Sequence, residues 1–452
     1  MRDFRNWVDH LRGRGCLEII SREVDLRFEV AAVAKKLDGR ACAYFKAIKG
    51  FKVPLVANVL FNREAMAEAM GVPASQLVNR YLEAVSSPVH CVTVDKENAP
   101  VKENRVVAGE GFDLGRLFPI PVHHEKDAGR FISAGVVVAK HPKTGEYNGA
   151  ICRLQLTGPR KLGICMQPRH LWQFYQEAEA KGEGLPIAIA IGVEPEVLLA
   201  SQATVAIGLN EMEIAGALKG EPLEVVSAET SDLLVPARAE IVVEGRILPF
   251  VRETEGPFGE YMMLYGPAGE RQVIEVTAVT HRNSPIYHTI VPATMEHLLL
   301  GAIPRETVLY QMVSHVTSRV TAVHLTPGGS CRYHAVVAVD KKREGEAKNI
   351  IFAALASHEN IRTVVVVDKD INIFNPQEVE WAICTRLKPE TGVFIVPGAV
   401  GAEAVASSKA RSLSTKMGID ATIPLDENRE DYEPIRIPGF DAIRLEDYIE
   451  KK

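Results

Sequence analysis

A chain of 452 residues exceeds the usual size of one hydrophobic core, so two or three domains are expected. Hydrophobic residues at 46 %, charged residues at 24 % and a formal net charge of −6 fit a soluble globular protein, excluding long disorder and giving no basic stripe for nucleic acid. Seven cysteines without a C-x-x-C pair exclude a disulfide framework and a zinc ribbon, and read as thiols in a reducing compartment.

In chain order, Phe4, Trp7, Val8 and Leu11 recur at helical spacing and predict an amphipathic helix rather than a signal core. The most apolar run, 185–193, is far shorter than the ~20 residues that span a bilayer, so no membrane partner and a cytoplasmic location are expected. Residues 1–115 alternate a helix over 25–37, a strand over 53–59 and helices over 65–85, which predicts an N-terminal α/β domain. Over 116–297 the pattern changes to strands between Gly/Pro turns, at 133–139, 185–192, 239–243 and 273–279, which predicts a barrel-like β domain. From 298 to 452 the alternation returns, with strands over 320–325, 334–339, 363–368 and 392–396, giving a C-terminal α/β domain. The charged tail from 426 to 452 is expected to wrap a neighbour or lie on the surface. The fold class is therefore a mixed α/β (α+β) multidomain chain.

Familiar nucleotide motifs are absent. Gly109-Glu110-Gly111 lacks the third glycine of a dinucleotide fingerprint, and no P-loop occurs. His123-His124-Glu125 invites a metal, but neighbours on an extended chain point to opposite sides and rarely share one ion. In Glu253-Thr254-Glu255-Gly256-Pro257-Phe258-Gly259-Glu260 a turn separates two carboxylates five residues apart. Brought to one cavity, they would repel, and one would keep its proton as an acid; the plainer reading is a solvated acidic turn. Asn148 and Arg153, also five apart, would face opposite sides of a regular strand unless the backbone bulges. Pro168 opens a helix with His170 in its first turn, where a histidine is most often structural. Glu211, ahead of an apolar stretch, would ordinarily cap a helix.

The order and spacing of these pieces is another matter. Phe118-Pro119-Ile120-Pro121, Asn148-x4-Arg153, Pro168-Arg169-His170, Glu211-x3-Ala215-Gly216, Val235-Pro236-Ala237-x2-Glu240-Ile241, the 255–260 block, Trp381-Ala382 and 416–422 together resemble the UbiD-like family of prenylated-FMN-dependent decarboxylases. The resemblance implies that the middle domain is a split β-barrel that binds prenylated FMN. It assigns Asn148, His170 and Glu211 to a Mn²⁺ or Mg²⁺ ion bridging to the flavin phosphate, with K⁺ or Na⁺ nearby; oxygen and imidazole donors suit such hard ions. Arg153, Glu255 and Glu260 match the catalytic arginine and carboxylates. Arg153, Arg169 and Lys416 join the three metal ligands as cofactor-binding residues, with a surface role for Lys416 as its alternative. A flavin prenyltransferase supplying the cofactor, and a homo-oligomer, dimer or hexamer, are also implied.

The substrate is read from His297 and Arg305, which share one face of a helix eight residues apart. They could clamp a second carboxylate, while the plainer alternative packs His297 in the core and pairs Arg305 with Glu306 or the surface. The same stretch is similar to furan-2,5-dicarboxylate decarboxylases, which implies reversible conversion of that diacid to furan-2-carboxylate. Pyrrole-2-carboxylate or a hydroxybenzoate are alternative aromatic acids. A flavin-binding protein or metal-dependent hydrolase using Asn148, His170 and Glu211 is the alternative of another class, and would not need Glu260.

Overall fold

The computed structural model describes residues 3–401, 413–444 and 447–449; the rest of the predicted tail lies outside the described residues. The first helix, Phe4–Gly13, is capped by the Asp3 side chain, which accepts from Asn6 N, and buries the four apolar residues of its predicted stripe. Among the described residues no helix is long and apolar enough to cross a membrane.

Strands Leu17–Ile20, Cys42–Phe45 and Leu55–Ala57 form the N-terminal sheet, flanked by helices Glu29–Lys36, Arg63–Ala69 and Leu77–Ser86. The predicted helix at 25–37 starts only at Glu29, because Phe28 has φ 74° and cannot begin a right-handed turn. The fourth strand, Tyr287–His288, pairs with Leu55–Ala57 and comes from the far end of the middle segment. Conversely, Asn104–Val107 pairs with strand Gly269–His281 of the large sheet. The N-terminal and middle units are thus laced together by strands that cross the boundary drawn from sequence.

The large sheet follows the path Phe131–Ile132, Leu154–Gly158, Lys161–Ile164, Gly269–His281, Ile241–Glu255, Leu185–Ile191, Val136–Lys140, Tyr147–Ile151. Leu154–Gly158 and Tyr147–Ile151 are second and eighth on this path, six steps apart, yet only Cys152 and Arg153 join them. Six strand spacings in a flat sheet would be about 29 Å. Three peptide steps reach at most about 11 Å. The sheet must therefore curl into a split barrel, with residues 152–153 bridging its seam. Two of its strands are far longer than the sequence predicts, at 15 and 13 residues, because their outer halves are only partly buried and carry polar side chains.

The C-terminal sheet runs Val320–Leu325, His334–Val339, Thr363–Asp368, Leu413–Ala421, Val393–Val400, and its three central strands are parallel. The near-continuous apolar runs of His334–Val339 and Thr363–Asp368 suit burial on both faces, whereas Leu413–Ala421 is mixed. Between barrel and sheet lies helix Met295–Ser314, which carries both residues of the predicted clamp.

Candidate active site

The seam resolves the parity problem of Asn148 and Arg153. Asn148 lies on the last strand of the path, while Arg153 lies in the two-residue break, free of the alternation of either neighbour. Its guanidinium grips Glu255 with two bonds, Nε to Oε1 at 2.9 Å and Nη2 to Oε2 at 2.7 Å. Nη1 donates to Glu260 Oε1. The turn between the carboxylates contains Gly256 at φ 82° and a cis peptide to Pro257. Strand Phe258–Gly259 then pairs with Tyr265–Gly266. Two glycines make room for the triad: a Cβ on Gly266 would lie 2.8 Å from Arg153 Nη1, and one on Gly163 would lie 3.2 Å from Glu255 Cγ.

This is no solvated acidic turn. The Glu255 side chain is 1 % exposed, against 23 % for Glu260. Burial pushes the Glu260 carboxyl above its ordinary value, Glu255 and Asp127 reinforce the shift, and Arg153 opposes it. Burial opposes the charge of Arg153, yet its surroundings, Cys165, Glu255 and Glu260 among them, raise its pKa. The result is a cation held between one fully buried carboxyl group and a second whose pKa burial raises. A cavity of about 450 Å³ opens onto Glu260, lined also by Phe28, His124, Tyr265 and Pro292.

Glu211 is not the cap of its helix. Asn210 takes that place, its side chain accepting from Met212 N at 3.0 Å. The Glu211 carboxylate is freed to face the barrel strand, where it accepts from Asn148 Nδ2 at 3.0 Å and Gly149 N at 2.9 Å. Burial pushes its pKa up to about 7. Asn148 Oδ1 is buried without a hydrogen-bond partner. An orphaned amide oxygen beside a buried carboxyl fits a hard cation, which would satisfy the one and hold the other ionised. The helix carrying His170, His170–Glu179, packs against the same strand. Among the described residues no three His, Cys, Asp or Glu side chains converge on one point, so a cation would also need the amide oxygen. Burial, then Arg169, lower the His170 pKa and favour the neutral imidazole that metals require.

His123 and His124 have separate partners, Thr289 Oγ1 at 2.9 Å and Asp127 Oδ2 at 3.7 Å. Lys416 Nζ donates to Leu355 O at 2.7 Å and His358 O at 3.4 Å, where it satisfies carbonyls at the end of helix Glu346–Ser357.

At the clamp, Arg305 does not pair with Glu306. Glu306 is engaged by Arg63 at 2.8 Å, His324 Nδ1 at 3.1 Å and Leu325 N at 2.9 Å. Arg305 Nη1 turns back to Gly301 O at 2.7 Å. The sequence reading missed Arg332, a buried residue whose Nη1 donates only to the carbonyls of Cys331 and Leu298, at 2.9 and 3.2 Å. A Cβ on Gly301 would lie 1.5 Å from its Nη2, so that glycine is what lets Arg332 reach the helix. Burial and then Arg332 push the His297 pKa to about 3 and hold that of Arg305 well below its usual value. Among the described residues neither Arg305 nor Arg332 forms an ion pair with a carboxylate. The one local hint of Arg332 is its place in a Gly-Gly-Ser-Cys turn directly after a strand.

Comparison with known proteins sets this chain among carboxy-lyases. The chain belongs to the UbiD family: models of the 3-octaprenyl-4-hydroxybenzoate carboxy-lyase N-terminal, Rift-related and C-terminal domains match residues 8–85, 92–295 and 298–421. It is similar to the UbiD-class enzyme HmfF from Pelotomaculum thermopropionicum, solved in complex with FMN, with 53 % identity, a TM-score of 0.97 and coverage of 99 % of this chain and 100 % of that one. An evolved dimeric form of the same enzyme, in complex with prFMN, is 51 % identical with a TM-score of 0.93 and the same coverage. Among curated proteins, the anhydromevalonate phosphate decarboxylase of Methanothermobacter thermautotrophicus is 37 % identical over 93 % of this chain and 97 % of its own.

Proposed function

We propose that this carboxy-lyase uses prenylated FMN to decarboxylate an aromatic diacid, furan-2,5-dicarboxylate, reversibly to furan-2-carboxylate. The observation that carries the diacid is the pair Arg305 and Arg332, two enclosed cations close to each other, to Arg169 and to His297, whose hydrogen bonds go only to carbonyls. Cations so enclosed are costly unless an anion meets them, and a second carboxylate on the substrate would do so. Asn148, His170 and Glu211 would hold Mn²⁺ or Mg²⁺ against the flavin phosphate, with K⁺ or Na⁺ nearby and Arg169 adding positive potential. Bound prenylated FMN would supply the sink for the electron pair left when CO₂ departs. Arg153 would orient the reacting carboxylate, and Glu260 would give its proton to the carbon that CO₂ leaves, Arg153 then holding the new carboxylate. A flavin prenyltransferase would supply the cofactor. The exposed Ile435, Ile437 and Phe440 of the tail support a homo-oligomer.

The curated relative favours a second reading, a phosphorylated acid whose phosphate would occupy the same cations. The test is product chromatography with protein co-expressed with a flavin prenyltransferase and given each acid in turn. Furan-2-carboxylate should appear, and Arg332→Gln should raise KM for the diacid at least tenfold. Equal turnover of mono- and diacids, with Arg332→Gln neutral, would overturn the diacid reading.

A further inference from the structure

Tyr261 follows Glu260 directly, yet its ring leaves the barrel and packs against the hydrophobic core of the C-terminal sheet. There it meets the clamp. The Arg332 guanidinium lies 5.0 Å from the ring centroid, and the His297 ring meets it edge-on at 6.2 Å. Tyr333 stacks on it at 6.2 Å, with the two hydroxyls 3.2 Å apart. Two of the three clamp side chains therefore rest on the residue next to the acid. The segment is also tied on itself: Glu260 N donates to Leu264 O at 2.9 Å and Met263 N to Glu260 O at 3.0 Å, so 260–264 shifts as a unit.

We infer that Tyr261 is a positioning residue through which occupation of the clamp sets the orientation of Glu260, so that the enzyme selects diacids in turnover as well as in binding. The inference rests on the diacid reading above. A carboxylate on Arg332 draws the guanidinium toward itself and alters its hold on the aromatic face. The ring follows, and one peptide bond transmits the movement to the backbone of Glu260. A monoacid leaves the clamp empty and meets an acid that is present but not aligned, and misalignment of a proton donor is read in kcat.

The test uses the cofactor-loaded enzyme with furan-2,5-dicarboxylate, furan-2-carboxylate, and furan-2-carboxylate plus acetate to occupy the clamp. Wild type should show a kcat at least tenfold higher for the diacid, and acetate should raise the monoacid rate. Tyr261→Leu should lose tenfold or more in kcat for the diacid with less than a threefold change in KM, and lose the acetate effect, while Tyr261→Phe keeps at least half of each. Should the leucine variant fail to fold, Tyr261→Met carries the same expectation. A diacid preference and acetate effect that survive in Tyr261→Leu, or an equal loss of kcat on both acids, overturns the inference alone. A wild type with no preference for the diacid removes the reading beneath it, and the inference with it.

Discussion

Glu255 and Glu260 are chemically the same residue made different by position. Glu255 is sealed against Arg153 by two bonds, whereas Glu260 faces a cavity and is pushed by burial toward its protonated form. As an acid, Glu260 is competent below its raised pKa and loses its proton as pH rises through it. We therefore expect kcat to fall on the alkaline side with an apparent pKa above that of an ordinary glutamate. Glu260→Gln should cut turnover by roughly 10²- to 10⁴-fold and abolish that limb while the flavin is retained, measurable by steady-state rates across pH and by absorbance of the bound cofactor. Spacing alone left this pair reading as a solvated acidic turn, and only the resemblance carried by the whole run of motifs singled it out, because the burial of Glu255 depends on Arg153 far away in the chain. Arg332 and Tyr261 were not legible, because their meaning lies in packing between domains far apart in the chain.

Helix Met295–Ser314 shows how an element is bent to a task. Pro304 stands in its interior, where it cannot donate to the carbonyl four residues back, and Gly301 removes the side chain that would block Arg332. Helix propensity alone would make Gly301→Ala stabilising by about 1 kcal/mol. The Cβ clash predicts a functional cost instead: Arg332 is displaced, and KM for the diacid rises at least tenfold with little change for monoacids. Unchanged kinetics, or a crystal structure of the variant with Arg332 in place, would sink this expectation. The helix was visible in the sequence as a long apolar stretch with two basic residues on one face. The full length of strands Ile241–Glu255 and Gly269–His281 was not, since their outer ends are only partly buried and carry polar residues such as Arg252, Glu253, Glu270 and Arg271 that read as loop.

At the scale of the molecule, the mixed α/β class was legible from changes in hydrophobic period. The interlacing of the N-terminal and large sheets was not, because strands as short as Tyr287–His288 leave no periodic signal. Arg63, Glu306 and His324 join the N-terminal helix Arg63–Ala69, the long helix and the C-terminal sheet through one carboxylate with no solvent exposure. Glu306→Gln should lower stability by about 3–5 kcal/mol in urea unfolding, since it leaves Arg63 enclosed without its counter-charge. Burial also holds His123 at about 4 and His297 and His358 at about 3. An unfolded histidine takes its proton near pH 6.5, so the folded state loses stability as pH falls from there toward 4 and 3. Glu196, raised by burial to about 7, works in the opposite sense, its contribution present below about 4.5 and lost as pH rises to 7. We expect thermal midpoints to drop on acidification, and His297→Asn to flatten part of that slope.

The seam at Cys152 and Arg153 has a consequence for how the enzyme matures. Arg153 meets partners 102 and 107 positions later in the chain, and Asn148 meets Glu211 63 positions later, so neither half of the site exists in any short fragment. Contacts of such sequence separation form late, after the loops between them have closed. A chain whose barrel is still open has no triad and no paired amide and carboxylate to offer. If these residues hold the flavin as proposed, cofactor capture would report barrel closure, because only a completed chain brings them together.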